Sequence, residues 1–207
     1  MMWNGGQRAI RKSGGGDQGR RNRYPYAALL AETAAIDCGG NMTTAYYSTV
    51  LDYPLPTVWA LIRDFNNYPA YIDGVSESVI EDDKGGDEIG AVRRFCYLGN
   101  WVRQRLAGHS DEGHSLTYAG IEPLPFPSGL MPEAPAPTRY QGTMHLLPVV
   151  EGNRTFIEWV VTLDTEPEDT ERWLTLFQSW IPDWTHSLER ALSRLRARGY
   201  RRHQNWR

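Results

Sequence analysis

One apolar stripe near the end of the chain does most to limit its fold. Trp173, Leu176, Phe177, Trp180, Ile181, Trp184, Leu188, Ala191, Leu192 and Leu195 recur at three- and four-residue steps, the spacing that gathers side chains on one face of an α-helix. A helix with so wide an apolar face needs a partner surface of matching length. Pro182 falls inside the stripe, where it removes one backbone donor and crowds the turn before it, so a bend is expected near Gln178 to Pro182. Beyond Arg196 the chain is rich in arginine, which suits the negative end of a helix dipole, and fraying is expected over 199–207.

The partner surface is supplied upstream. Ala45 to Tyr53 is rich in Tyr, Thr and Val and stops at Pro54, which reads as a strand. Val58, Trp59, Ile62 and Phe65 then recur at helical spacing behind Pro56, so Thr57 to Phe65 reads as a short helix with Trp59 as its packing anchor. A second brief helical piece ends at Ile72, before Gly74. Six strand-length runs follow: Val75 to Glu81, Glu88 to Tyr97, Trp101 to His109, Ser115 to Ile121, Tyr140 to Val150 and Arg154 to Thr165. Tight Gly-, Asn- and Asp-bearing turns separate most of them, as in an antiparallel meander. The exception is 122–138, where Pro123, Pro125, Pro127, Pro132, Pro135 and Pro137 prevent regular pairing. Leu130 and Met131 in that loop suit a lid over a bound molecule, or a passive loop. The expected architecture is α+β: a seven-stranded curved antiparallel sheet wrapped around the long C-terminal helix, with two short helices after strand 1.

Residues 1–41 differ in kind. They hold Gly14-Gly15-Gly16 and Gly39-Gly40, lack sustained periodicity apart from Tyr26 to Ile36, and carry an excess of basic groups on a chain whose net charge is -3. They read as a mobile tail, with one ligand-binding domain over 42–198. Arg20-Arg21 ahead of Tyr26 to Ala31 has the order of a twin-arginine export signal, but its apolar part is short. Cys38 and Cys96 offer no disulfide framework, which fits a reducing, cytoplasmic setting. The modest charge argues against a nucleic-acid partner, and the longest early apolar run stops at Glu32, so no membrane span is expected. His109, His114, His145 and His186 do not fall at ligand spacings, and no glycine-rich phosphate loop opens a helix, so neither metal nor cofactor is expected. Cys96 reads as a small buried hydrophobe.

Strand alternation assigns faces. Arg93 shares parity with Phe95 and Tyr97, Tyr140 with Met144 and Leu146, and Gln104 with Val102 and Leu106. An interior cavity is therefore expected to hold Arg93, Gln104, Tyr118 and Tyr140 within a shell of Phe95, Tyr97, Met144, Leu146, Trp159, Phe177, Trp180 and Trp184. A mostly apolar cavity with a few converging donors is how proteins orient a small organic ligand. Arg93 would hold a carboxylate, enolate or phenolate oxygen while Tyr140 gives a second hydrogen bond or a proton. The competing expectation pairs Arg93 with Glu158 or Glu88 as plain structure.

The element order, with Pro56-Thr57-Val58-Trp59-Ala60-Leu61-Ile62-Arg63-Asp64-Phe65, Glu88-Ile89-Gly90-Ala91-Val92-Arg93, Leu116-Thr117-Tyr118, Tyr140-Gln141-Gly142-Thr143-Met144 and Phe156-Ile157-Glu158-Trp159, resembles the helix-grip fold of the START and birch-pollen-allergen-like superfamily, also called polyketide cyclase/dehydrase or SRPBCC. Within it the pattern is most similar to the lachrymatory-factor-synthase-like branch. That resemblance implies a small apolar ligand between sheet and helix, with the branch's catalytic arginine on Arg93 and its catalytic tyrosine on Tyr140. The branch's acidic proton-transfer partner has no counterpart, since Trp101 to Ser110 contains no Asp or Glu. The resemblance thus implies a binder of a small hydrophobic or aromatic metabolite, with cofactor-free cyclisation, dehydration or isomerisation by Arg93 and Tyr140. A non-catalytic carrier or sensor of a lipid or quinone, and a protein-interaction module with a filled cavity, are the rivals. Pairing with a second copy as a homodimer stays open.

Overall fold

The computed structural model describes residues 41–125, 137 and 139–204. Strand β1 (Asn41–Leu51) is followed by α1 (Leu55–Ile62) and α2 (Tyr68–Tyr71). Then come β2 (Val75–Ile80), β3 (Val92–Tyr97), β4 (Asn100–Ser110), β5 (Ser115–Gly120), β6 (Tyr140–Val149) and β7 (Arg154–Thr165), and, after a 3₁₀ turn at Pro167–Asp169, the long helix α3 (Thr170–Gln204). The seven strands form one antiparallel sheet in the order β1-β7-β6-β5-β4-β3-β2, so the first strand pairs with the last, Ala45 opposite Val161 and Leu51 opposite Thr155. This is the helix-grip α+β fold, with α3 lying on the sheet's apolar face.

Alternation accounts for that face. On β7, Ile157, Trp159, Val161 and Leu163 are buried while the residues between them are half-exposed. Opposite them α3 presents Trp173, Phe177, Ile181, Leu188 and Leu192, also buried. Each such side chain contributes about 1.5–3 kcal/mol through burial, and the short helices α1 and α2 complete the cover with Val58, Ile62, Tyr68 and Tyr71, also buried.

Several boundaries differ from the sequence expectation, each for a local reason. Helix α1 ends at Ile62 rather than Phe65, because the Asp64 carboxylate accepts the Asn66 backbone N–H in a side-chain-closed turn and the Asn67 amide donates to the Leu61 carbonyl. Strand β3 begins at Val92 rather than Glu88, since Gly90 takes a left-handed backbone (φ +95°) and its N–H reaches the Leu106 carbonyl. Helix α3 is continuous through Pro182, with the carbonyl of Gln178 lacking its helical donor there. Its backbone remains helical to Gln204, into the stretch expected to fray. The tail expected over 1–41, apart from Asn41 at the start of β1, and the lid residues Leu130 and Met131 lie outside the described residues.

Candidate functional site

Between α3 and the inner face of the sheet lies an apolar hollow of about 60 Å³, set within about 650 Å³ of unfilled space when its mouth is included. Strand β3 contributes Phe95 and Tyr97, β4 contributes Gln104, and β5, β6 and β7 contribute Tyr118, Tyr140 and Trp159. Helix α3 adds Phe177, Trp180 and Trp184 from successive turns. Met144 and Leu146 face inward as alternation requires, yet they sit in closed core farther along β6 and do not line the hollow. Parity assigns a face; it carries no information on depth along the strand.

The wall is stiffened by hydrogen bonds from indoles to phenols. Trp159 Nε1 donates to the Tyr118 hydroxyl at 3.1 Å, and Trp184 Nε1 donates to the Tyr97 hydroxyl at 3.0 Å. Trp184 also packs against Trp159, Phe177 and Trp180 with ring centroids 5.3, 6.1 and 5.9 Å away. Two glycines make room for the tyrosines. A Cβ on Gly120 would overlap the Tyr140 ring, and one on Gly142 would overlap the end of Tyr118. Each ring lies across the glycine of the neighbouring strand, an arrangement that only the absence of a side chain permits.

Arg93 is fully buried but does not line the hollow. Its guanidinium carbon lies 3.5 Å from the Tyr68 ring centroid, 3.9 Å from that of Phe65 and 4.8 Å from that of Phe95, an aromatic cage suited to a cation. One terminal nitrogen donates to the Phe65 carbonyl, which the early end of α1 leaves available, and the other donates to Gln104 Oε1 at 2.5 Å. Its Nε has no hydrogen-bond partner. Neither acid considered for it is its partner: Glu158 lies on the outer face, bonded to His145 at 3.1 Å and to Tyr46 at 3.3 Å, and Glu88 is exposed. Sequence reasoning missed several wall residues, Ile72, Val75, Asn100, Val102, Leu124, Pro125 and Val161 among them, and also Tyr68, from a helix of four residues. So short a helix shows no periodicity, and its only signal was the Tyr68-Pro69 step.

The Tyr140 hydroxyl is the polar atom that matters most. It is buried on the wall of the hollow and has no hydrogen-bond partner. Burial pushes its pKa above the ordinary phenol range, against the opposing influence of the Gln104 amide and the Arg93 charge. Tyr140 therefore keeps its proton at neutral pH and is poised to donate. No residue lining the hollow among those described carries a formal charge. Among the described residues there is also no group of three or more His, Cys, Asp or Glu side chains placed to hold a metal. His109 and His114 instead flank the Trp59 ring at 5.5 and 5.6 Å.

A family model described as polyketide cyclase / dehydrase and lipid transport matches residues 42–199. The chain belongs to that family. Solved structures similar to this cyclase/dehydrase-family chain include a protein of Nitrosospira multiformis at 26% identity, covering 70% of this chain and 96% of that one with a TM-score of 0.55. A protein of Bacillus thuringiensis matches at 22% identity, covering 72% and 98%, with a TM-score of 0.59. The protein XoxI of Bacillus cereus matches at 23% identity, covering 74% and 98%, with a TM-score of 0.61. These likenesses carry the fold. No curated protein matches the chain. Among the described residues no helix is long and apolar enough to cross a membrane. Cyclase/dehydrase-family membership together with the apolar hollow marks the chain as a hydrophobic-ligand-binding protein.

Proposed function

We propose that the chain binds a small neutral hydrophobic or aromatic molecule in the hollow, with Tyr140 donating a hydrogen bond to its one polar atom. The observation that carries this reading is the buried, partnerless Tyr140 hydroxyl on an otherwise apolar wall. Leaving such a group unpaired costs about 1–3 kcal/mol, and a ligand that bonds it recovers that free energy. The phenol is an orienting hydrogen-bond donor rather than a base, because burial holds its proton in place. A cofactor-free cyclisation, dehydration or isomerisation is the catalytic form of this reading, with Tyr140 as the group touching the reacting oxygen. The arrangement implied by the lachrymatory-factor-synthase-like branch, with arginine and tyrosine both at the substrate, is supported only on its tyrosine side, since Tyr68 and Phe95 stand over Arg93. That separation favours the second reading, a non-catalytic carrier, in which the same hollow holds its guest unchanged.

Native mass spectrometry of the chain against neutral aromatic, polyketide-like and lipid panels tests the proposal. A stoichiometric adduct weakened by Tyr140→Phe is expected, and failure to retain any member would overturn it. Release of a guest with altered mass by the wild type but not by Tyr140→Phe identifies an enzyme; release of the guest unaltered identifies a carrier.

A further inference from the structure

Arginine has five N–H donors and no acceptor, so an amide that meets it must turn its oxygen toward it. Arg93 meets the Gln104 amide at Oε1. The guanidinium is held from its other sides too, by the Phe65 carbonyl and by the rings of Phe65 and Tyr68. A side-chain amide has one oxygen and one NH₂ group. With the oxygen committed to Arg93, the NH₂ of Gln104 is turned away from Arg93, on a residue that lines the hollow.

A second donor stands at this end of the hollow. Tyr140 keeps its proton and has no partner. Tyr118 is already engaged, accepting from the Trp159 indole and turned toward the Tyr68 hydroxyl. The other side-chain amide of the wall, Asn100, is four residues away along β4, about 13 Å at strand rise.

Resting on the reading of the hollow as a ligand site, we infer that Arg93 is a positioning residue: by pinning the Gln104 oxygen it makes Gln104 present only N–H donors to this end of the hollow. The hollow then selects molecules carrying a carbonyl-type acceptor over molecules of the same shape without one. Arg93 never touches the guest; it sets which way Gln104 points.

The test uses the full chain and two probes of matched shape, 2-acetylnaphthalene and 2-ethylnaphthalene, with dissociation constants read from the indole N–H NMR signals of Trp159 and Trp184. The wild type is expected to bind the acetyl probe about fivefold more tightly, the worth of one net hydrogen bond. Arg93→Met frees the amide to turn, and should lower that ratio while leaving the affinity for 2-ethylnaphthalene within about twofold, a split that a merely structural role would not produce. Gln104→Glu keeps the bond to Arg93 but turns an acceptor toward the hollow. It should abolish or reverse the preference, and it answers the question even where Arg93→Met does not fold. Equal binding of both probes by the wild type, or an unchanged preference in Gln104→Glu, overturns this inference alone. Binding of neither probe overturns the ligand-site reading with it.

Discussion

The hydroxyl end of Tyr118 occupies the space that a Cβ on Gly142 would fill. The two residues are directly opposite each other on β5 and β6, and the same tyrosine takes the Trp159 indole N–H. One missing side chain thus lets an aromatic wall residue lie down on the sheet and turn its hydroxyl to the next strand.

Gly142→Ala should therefore destabilise the fold by about 1–3 kcal/mol through overpacking, measured by urea unfolding. Gly108→Ala is the control, because its added Cβ would meet Thr117 only at ordinary contact distance, 3.4 Å. Equal effects of the two substitutions would show that Tyr118 can move aside freely.

Trp184 and Tyr97 form a second paired unit, joined at 3.0 Å across the hollow from α3 to β3. A double-mutant cycle on Trp184→Phe and Tyr97→Phe should give a coupling of about 1 kcal/mol. Additive effects would mean that the bond contributes nothing net.

Acid sensitivity should trace to Asp111. The Arg63 guanidinium, bonded to both carboxylate oxygens at 2.9 and 2.8 Å, and the Trp59 indole at 2.8 Å hold this carboxyl well below the usual range. A depressed folded-state pKa stabilises the protein above the unfolded value, about 3.9, and that stability is lost as pH falls further. Asp111→Asn should flatten the decline in melting temperature below about pH 4. A decline as steep as that of the wild type would assign the sensitivity to other groups.

Alkali should act in the opposite sense. Burial raises the phenol pKa of Tyr71, Tyr118 and Tyr140, so the fold favours their neutral forms. The associated stability is complete below about pH 10 and drains away as pH rises above it. Phenolate absorbance in a pH titration should show these tyrosines ionising only together with unfolding. Tyr71→Phe, Tyr118→Phe and Tyr140→Phe should leave the absorbance gained before unfolding unchanged, and a smaller pre-transition gain in any of them would contradict the burial argument.

Much of this molecule could be read along the chain. The stripe from Trp173 to Leu195 called for a covering helix, and the alternation Arg93-Phe95-Tyr97 and Val102-Gln104-Leu106 sorted inner from outer side chains correctly. Both patterns are properties of backbone geometry at 3.6 and 2 residues per repeat, so neighbours in sequence suffice to reveal them. The proline-rich stretch over 122–138 carried no such period, and the short helix bearing Tyr68 was too brief to show one.

Whether an inward side chain meets open space depends instead on what arrives from elsewhere. Met144 and Arg93 face inward as surely as Tyr140 does, but Met144 ends in closed core and Arg93 ends under rings from Phe65 and Tyr68. The faces of the sheet and the need for a terminal helix were determined by the sequence alone, because local periodicity encodes them. Which polar atom was left exposed to the hollow was decided only by tertiary packing, because close packing of side chains brought together from distant parts of the chain sets where space remains.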